Sequence, residues 1–364
     1  MSDDDPGRVH QHLINVARQH QQQPPAQQPG KVTLTRTGSF HGNFLSTFWL
    51  SQAWSPDGSL LACGGQCGHS GVLHIWNGGT GHLEAHGMRH LTHGVTGDVV
   101  SIGWAPDSRG LATVEVSHHS GERVLGVRGQ AGSRTMAVPP GLNVSQVAWS
   151  ADGTTLALSG PDCPRTVLLD PDTGAVRREL DNLSGPVAWQ PGGRLIAGIY
   201  ETSVLLCDPV TGGRTGRLAG QDHRPTALAW APGGKFLAVA DGERIRIWDA
   251  GAGAQTSVLP WILSEGDRGP DPTITRIDWL DDRYLFEFRP RGGALRDERN
   301  SVVATVALWA AHEARWQLVK HFYEHVNRVI RPVAGWAPAP DGKRCVTVAD
   351  DHLPDVWVIG GTLT

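Results

Sequence analysis

The sequence predicts an all-β fold, a seven-bladed β-propeller of four-stranded antiparallel blades. A short turn opened by tryptophan and followed by an apolar segment recurs at intervals of roughly 40 to 50 residues. Each interval also holds four strand-length segments separated by turn residues. The turns are Trp54–Gly58, Trp104–Ser108, Trp149–Gly153, Trp189–Gly193, Trp230–Gly234, Trp279–Arg283 and an expanded Trp336–Gly342. Four strands in such a period are typical of a propeller blade.

The fifth unit shows how one blade is built. Its predicted strands are residues 226–230, 235–240, 243–249 and 255–259. Asp241-Gly242 forms a tight turn before the third strand, in which Ile245 and Ile247 face one side of the sheet. Arg244, Arg246 and Trp248 face the other side. We therefore expect an antiparallel meander with an outer fourth strand.

The third strand of this unit ends in Trp248-Asp249, a dipeptide in which the chain resembles the WD-repeat propeller family. Eroded copies are Ile75-Trp76-Asn77, Leu169-Asp170, Cys207-Asp208 and Val356-Trp357. In that family a buried network links a histidine, a hydroxyl residue, an aspartate and the strand tryptophan. The resemblance assigns His223, Asp241, Trp248 and Asp249 to this network, and it leaves the network incomplete because Ala240 replaces the hydroxyl residue. Periplasmic propellers with Trp-Ser-Pro-Asp-Gly repeats are a rival family, which the Ile-Trp-Asp strand end disfavours.

The two ends of the chain predict how the ring closes. The last unit stops after residues 355–359 without an outer strand, while residues 31–37 alternate as a strand before the first unit. We expect this N-terminal strand to be the outer strand of the seventh blade, as is common in WD-repeat propellers. The propeller domain is therefore predicted to span residues 31–364.

Residues 1–30 form a separate N-terminal tail. The Gln- and Pro-rich stretch 19–30 has too little apolar surface to pack and is predicted to be disordered. Val9, Leu13, Val16 and Ala17 fall at helical spacing before it. A short docking helix is thus the alternative to a frayed terminus.

The composition indicates one soluble cytoplasmic protein. No apolar stretch approaches the roughly 18 residues of a membrane span, and the acidic N-terminus does not resemble a signal peptide. Five cysteines without a paired framework fit a reducing compartment. A formal net charge of −4 disfavours a dedicated nucleic-acid surface. The abundance of Gly, Ala, Arg and His suggests a bacterial source.

Histidine is the strongest compositional signal, with 17 residues. Several fall in blade-joining loops or in loops between second and third strands, which emerge on one face around the central channel. Such a ring of imidazoles could bind a divalent metal or titrate near neutral pH. The candidates are His69, His90, His93, His118, His119 and His352. The alternative is that these histidines pack or are solvated, since no tight zinc-ligand spacing accompanies them. We therefore expect no cofactor and keep a metal as the alternative.

Linear enzyme signatures are missing from the sequence. It has no Gly-x-Ser-x-Gly elbow, no phosphate-binding loop and no dinucleotide-binding glycine motif, and its 46 glycines serve turns. Propeller enzymes carry their sites at the channel mouth, so a hydrolase or lyase there, with or without a metal, remains the alternative function.

The later units carry insertions at residues 261–272, 290–300 and 310–331. Aromatic and arginine residues mixed in irregular segments are typical of protein-contact hot spots. The candidates are Arg291, Arg296, Arg299, Phe322, Tyr323, Arg328 and Arg331. Residues 316–319 are instead predicted to be the outer strand of the sixth blade. We expect a non-enzymatic scaffold that binds an acidic protein or peptide on the face carrying the insertions and histidines. Docking through the tail and a small-molecule ligand stay open.

Overall fold

The computed structural model describes the chain in several segments. They are residues 33–40, 47–68, 70–91, 95–129, 132–242, 244–259, 273–290, 304–312, 315–322, 333–349 and 353–360. Every regular secondary-structure element within these segments is a β-strand. The all-β prediction is therefore confirmed for the described part of the chain.

The strands follow one another in short meanders. In chain order they are β1 (Thr33–Ser39), β2 (Thr47–Trp54), β3 (Leu60–Cys67), β4 (Ser70–Asn77), β5 (Leu83–Leu91), β6 (Val95–Trp104), β7 (Leu111–Ser117), β8 (Arg123–Gly129), β9 (Gly132–Ala137), β10 (Gln146–Trp149), β11 (Leu156–Ser159), β12 (Arg165–Leu169), β13 (Val176–Asp181) and β14 (Ser184–Trp189). They continue as β15 (Ile196–Tyr200), β16 (Ser203–Cys207), β17 (Arg214–Leu218), β18 (Ala227–Trp230), β19 (Phe236–Ala240), β20 (Ile245–Asp249), β21 (Ala254–Leu259), β22 (Arg276–Asp281), β23 (Tyr284–Pro290), β24 (Ala304–His312), β25 (Arg315–Phe322), β26 (Val333–Pro338), β27 (Arg344–Ala349) and β28 (Asp355–Gly360).

The described strands form six antiparallel sheets in a propeller arrangement, so the prediction of seven separate blades is wrong. Five sheets have four strands each, namely β10–β13, β14–β17, β18–β21, β22–β25 and β26–β28 with β1. The sixth sheet has eight strands, β2 to β9, and consists of two meanders joined where His90 pairs with Thr96 and Leu91 with Val95. The physical reason is the length of β6, which has 10 residues whereas β10 and β18 have 4. Its additional N-terminal residues extend far enough to pair with the end of β5.

The N-terminal strand closes the ring, as predicted. β1 pairs antiparallel with β28, in a register that runs from Thr33 opposite Gly360 to Ser39 opposite Asp355. The guanidinium of Arg36 also lies 2.6 Å from the carboxylate of Asp355. The first strand of the described chain thus completes the sheet that holds the last three strands.

Indole hydrogen bonds connect consecutive repeat units. In each case Nε1 donates to a backbone carbonyl in the first strand of the preceding unit, at the residue just before the one that opens its turn. The pairs are Trp54 to Ala337 (3.2 Å), Trp104 to Ala53 (3.0 Å), Trp149 to Gly103 (3.1 Å), Trp189 to Ala148 (3.2 Å), Trp230 to Ala188 (3.0 Å) and Trp279 to Ala229 (3.0 Å). The bond from Trp104 to Ala53 joins the two meanders of the eight-stranded sheet. The recurrent tryptophan therefore fixes the spacing between units as well as filling the core.

The last unit departs from this pattern, and the sequence-based alignment of its turn needs a correction. Pro338 pairs with Cys345 and therefore occupies the position of the tryptophans that open the other turns. Trp336 lies two residues earlier, is 1% exposed and packs on Phe286 with ring centroids 4.0 Å apart. Proline has no indole to donate, so this junction is held by aromatic packing instead.

Apolar side chains fill the space between adjacent units. Leu61 and Trp76 of the first unit cluster with Val346 and Val348 of the last, which seals the ring. Cys63 is fully buried in β3, and burial raises the pKa of its thiol. Among the described residues there is no helix long and apolar enough to cross a membrane.

Candidate functional site

One edge of the ring gathers the loops that the sequence singled out. Neighbouring strands are antiparallel, so the starts of the first strands lie at the same edge as the turns between second and third strands. Residues 291–303 connect β23 to β24, and residues 323–332 connect β25 to β26, so both segments join the ring here. We call this side, marked by residues 47–50, 95–98 and 118–121, the insertion edge.

Most predicted partner-binding residues cannot be placed. Arg291, Arg296, Arg299, Tyr323, Arg328 and Arg331 lie outside the described residues. Phe322 is the last residue of β25. The expectation that residues 316–319 form an outer strand is confirmed, but that strand continues to Phe322, one of the predicted contact residues.

Two apolar side chains that the sequence analysis did not single out are exposed at the insertion edge. Phe48 and Leu50 are 48% and 47% exposed, whereas Trp49 between them is 2% exposed. All three belong to β2, an edge strand of its sheet, which lies against β6 and β26, the first strands of the neighbouring units. This is the most prominent apolar surface among the described residues at this edge.

A β-bulge explains the direction of these side chains. Trp49 pairs with Gly65 and Ser51 with Gly64, so Leu50 has no partner across the strand pair. A Cβ at Gly65 would lie only 1.9 Å from the carbonyl oxygen of Phe48, so glycine allows this close approach. Two apolar side chains of one strand are therefore exposed to solvent beside the bulge. The sequence signal for this surface was the spacing of Phe48 and Leu50, which lie two residues apart and therefore on the same face of a strand, opposite to Trp49.

The histidine candidates do not gather around a metal site in the described part of the chain. Nε2 of His118 lies 2.9 Å from Oδ1 of Asp98, whose pKa is raised because burial outweighs the attraction of the histidine. His119 is exposed on the same turn. The described residues contain no group of three or more His, Cys, Asp or Glu side chains able to hold a metal ion. His69, His93 and His352 lie outside the described residues, as does the side chain of His90 in β5.

The network assigned to the fifth unit differs from the family pattern. His223 is exposed, and the buried residue of this segment is Gln221, which is 8% exposed. Asp241 accepts hydrogen bonds at Oδ2 from the backbone N of Asp222 (2.8 Å) and from Nε of Arg246 (3.0 Å). The predicted link between His223 and Asp241 is therefore replaced by an ion pair.

Arg246 connects this ion pair to the outer strand. Its Nη2 donates to Asp222 (2.6 Å) and its Nη1 to Gln255 (3.2 Å), although the side chain is only 8% exposed. Trp248 is buried, and its Nε1 has no hydrogen-bond partner among the described residues. Asp249 instead caps the next turn by accepting from the backbone N of Ala252. The charged side chain of Arg246, which alternates with Ile245 and Ile247 in this strand, is thus buried in the fold.

Comparisons with known proteins agree with this geometry. Two segments, residues 34–77 and 213–249, match the family model described as WD domain, G-beta repeat. Each segment begins at the outer strand of one sheet and ends with the third strand of the next. The boundaries of the sequence repeat are therefore shifted by one strand from the boundaries of the sheets. No protein with a curated description matches the sequence.

A solved structure titled "Crystal Structure of Mitotic Checkpoint Complex" contains a chain of similar fold. The TM-score is 0.63 with 16% sequence identity, and the match covers 93% of this chain and 94% of the other. At this identity the likeness concerns the fold. The two matching segments, the indole bonds between units and the closure by β1 together show WD40 repeats within a propeller-like fold.

Proposed function

We propose that this WD40-repeat protein is a non-enzymatic scaffold that binds a partner protein at the insertion edge. The observation that carries the proposal is the exposure of Phe48 and Leu50 in β2 at the insertion edge. Apolar side chains exposed side by side are typical of interaction sites. The partner would present an apolar side chain to this pair.

The charge of the neighbouring insertion favours an acidic partner. Arg291, Arg296 and Arg299 belong to the segment that joins the ring between β23 and β24, at the same edge. Positive charge around an apolar contact accelerates association with an acidic partner and selects against a basic one. We therefore infer a partner segment that carries an apolar residue flanked by Asp or Glu.

We also infer that the eight-stranded sheet acts as two blades, which gives the ring seven units. Its two meanders are connected by the same indole hydrogen bond, from Trp104 to Ala53, that connects separate sheets elsewhere. A cytoplasmic location belongs to the same proposal, because the cysteines of the sequence lack a disulfide framework.

Co-purification with matched variants tests the binding surface. Tagged full-length protein, the Phe48→Ser/Leu50→Ser variant and the Arg291→Glu/Arg296→Glu/Arg299→Glu variant are each recovered from native lysate, and bound proteins are identified by mass spectrometry. Val210→Ser is the control, because Val210 is 77% exposed in a turn at the opposite edge. Thermal unfolding of each variant verifies that it is folded.

A partner recovered with wild type and with Val210→Ser, but lost with the apolar variant, supports the proposal. Retention of the same partner by folded Phe48→Ser/Leu50→Ser refutes the apolar contact. An unchanged association rate for the arginine variant, measured with the purified partner, refutes the acidic character of that partner.

A further inference from the structure

A cleft opens between the second and third units at the edge opposite the insertion edge. Its volume is about 320 Å³, at the lower end of the range for small-molecule sites. The turn at 105–110 and the end of β8 form one wall, and the turns at 152–153 and 171–172 form the other. Trp149 lines the cleft between them.

The cleft exists because one side chain of the repeat pattern is missing. In the fourth, fifth and last units, a side chain near the start of the second strand packs beside the tryptophan of the next unit. It belongs to the residue just before the one that pairs with the turn-opening residue. In the last unit this residue is Arg344, whose guanidinium lies 5.1 Å from the ring centroid of Trp54. In the fourth and fifth units it is Leu195 or Phe236, which belong to the packed clusters of Trp230 and Trp279.

Glycine occupies this position in the second unit. Trp104 pairs with Leu111, so the residue before the partner is Gly110. A Cβ built there would lie 3.6 Å from Cζ2 of Trp149. The face of Trp149 that a side chain would otherwise cover is therefore left open to a ligand.

Arg128 supplies a guanidinium with unsatisfied hydrogen-bond donors to this cleft. Its Nε and Nη2 are buried and have no hydrogen-bond partner within the described residues. Leaving a charged group without partners away from water is costly, so an anion that enters the cleft would give this guanidinium the bonds it lacks. Arg109 also lines the cleft and is exposed.

The other charged groups of the cleft are engaged in local contacts. Arg134 donates to the backbone carbonyl of Asp172 and forms an ion pair with its carboxylate. Asp152 accepts from the hydroxyl of Ser150 and from the backbone N of Thr154. These two aspartates, with Asp107, place three carboxylates in the lining. They repel a multiply charged phosphate more strongly than a monoanion.

We propose that this cleft binds a small monocarboxylate carried on a flat apolar group. Arg128 would pair with the carboxylate, since a guanidinium matches the two carboxylate oxygens in planar geometry. The flat group would pack on Trp149, in the space that a side chain fills at other junctions. This site lies at the opposite edge from the proposed partner surface and is independent of that proposal.

The test uses 4-fluorobenzoate as the probe, with binding to the full-length protein followed by ¹⁹F NMR. Arg128→Gln removes the charge from the cleft. Gly110→Leu keeps Arg128 and fills the cleft with the residue type found in the fourth unit. The tightest contact of the added Cβ is with the Cβ of Ala105, at 3.0 Å. Arg194→Gln is the control for the loss of one arginine, because Arg194 lies in the fourth unit and does not line the cleft.

We expect saturable binding of 4-fluorobenzoate to wild type and to Arg194→Gln. Arg128→Gln should weaken it about tenfold or more, the loss expected for a hydrogen bond to a charged group. Gly110→Leu should abolish it while leaving the thermal midpoint at or above that of wild type. Inorganic phosphate should compete poorly, and neutral 4-fluorobenzamide should not bind.

Three results would overturn the proposal. They are no saturable binding to wild type, equal affinity for 4-fluorobenzamide, and full binding by Gly110→Leu. Because Gly110→Leu leaves the arginine in place, the test holds even if Arg128→Gln does not fold.

Discussion

Replacing Arg246 by methionine tests whether a buried ion pair has taken over the structural role that the family pattern gives to a histidine network. The guanidinium of Arg246 is 8% exposed, and the carboxylate of Asp241 beneath it is 1% exposed. Arg246 also bonds to Asp222 and Gln255. The variant keeps much of the aliphatic volume and removes every one of these donors.

The expected loss follows from the charge that remains. After the substitution Asp241 keeps the bond from the backbone N of Asp222, but it has no cation beside it. Removing one partner of a buried pair typically costs about 3–5 kcal/mol. For a chain of 364 residues unfolding as one unit, this corresponds to a fall of about 4–7 °C in Tm.

Thermal and urea unfolding of four proteins provide the assay: wild type, Arg246→Met, Asp241→Asn/Arg246→Met and Arg244→Met. The double variant should recover much of the loss, because it no longer buries an unpaired charge. Arg244→Met is the control, since Arg244 is 56% exposed in its contact with Asp222 and should cost less than about 1 kcal/mol. A loss of under about 1 kcal/mol for Arg246→Met, or an equal loss in the double variant, would refute the reasoning.

Three further predictions concern the frame of the ring. Trp104→Phe should lower the free energy of unfolding by about 1–2 kcal/mol, because it removes the 3.0 Å bond to Ala53 and part of a packed ring; urea unfolding measures it, with an unchanged midpoint as the contrary result. Deleting 33–39 should prevent cooperative unfolding, since it leaves β28 unpaired, whereas deleting 1–29 should preserve the wild-type calorimetric transition. The hydroxyl of Ser55 and two bonds from Ser59 lower the pKa of Asp57 to about 2, below its unfolded value of about 3.9. The resulting stabilisation is present above about pH 4 and is lost as pH falls towards 2, so Asp57→Asn should destabilise at pH 6 and less so at pH 3; equal differences at both pH values would contradict this.

The repeated turn predicted the units well because its chemistry is local. Trp54, Trp104 and their counterparts end a strand just before turn residues such as Asp57, and this order suffices to locate strands and turns. Pro338 shows the limit of the method. Trp336 is the nearest tryptophan in sequence, but the pairing of Pro338 with Cys345 sets the true register of the last unit.

The candidate site was less predictable, because it depends on exposure and on contacts between distant segments. The family pattern pointed to His223, yet Gln221 is the buried residue and Arg246 pairs with Asp241. In the sequence, Phe48 and Leu50 belong to one apolar run with Trp49, which does not show which of the three side chains are exposed. Only the bulge and the position of β2 at the edge of its sheet place these two side chains in solvent.

The sequence by itself determined the class of fold, the succession of strands and the strand that closes the ring, because strand periodicity and turn chemistry operate over a few residues. The tertiary structure alone decided how the sheets are counted and where the clefts lie. The extended β6 merges two meanders only because the end of β5 lies beside it. The missing side chain at Gly110 contributes to a cleft only because the next unit places Trp149 beside it. Both features depend on neighbours that are far apart in the chain and meet when the ring closes.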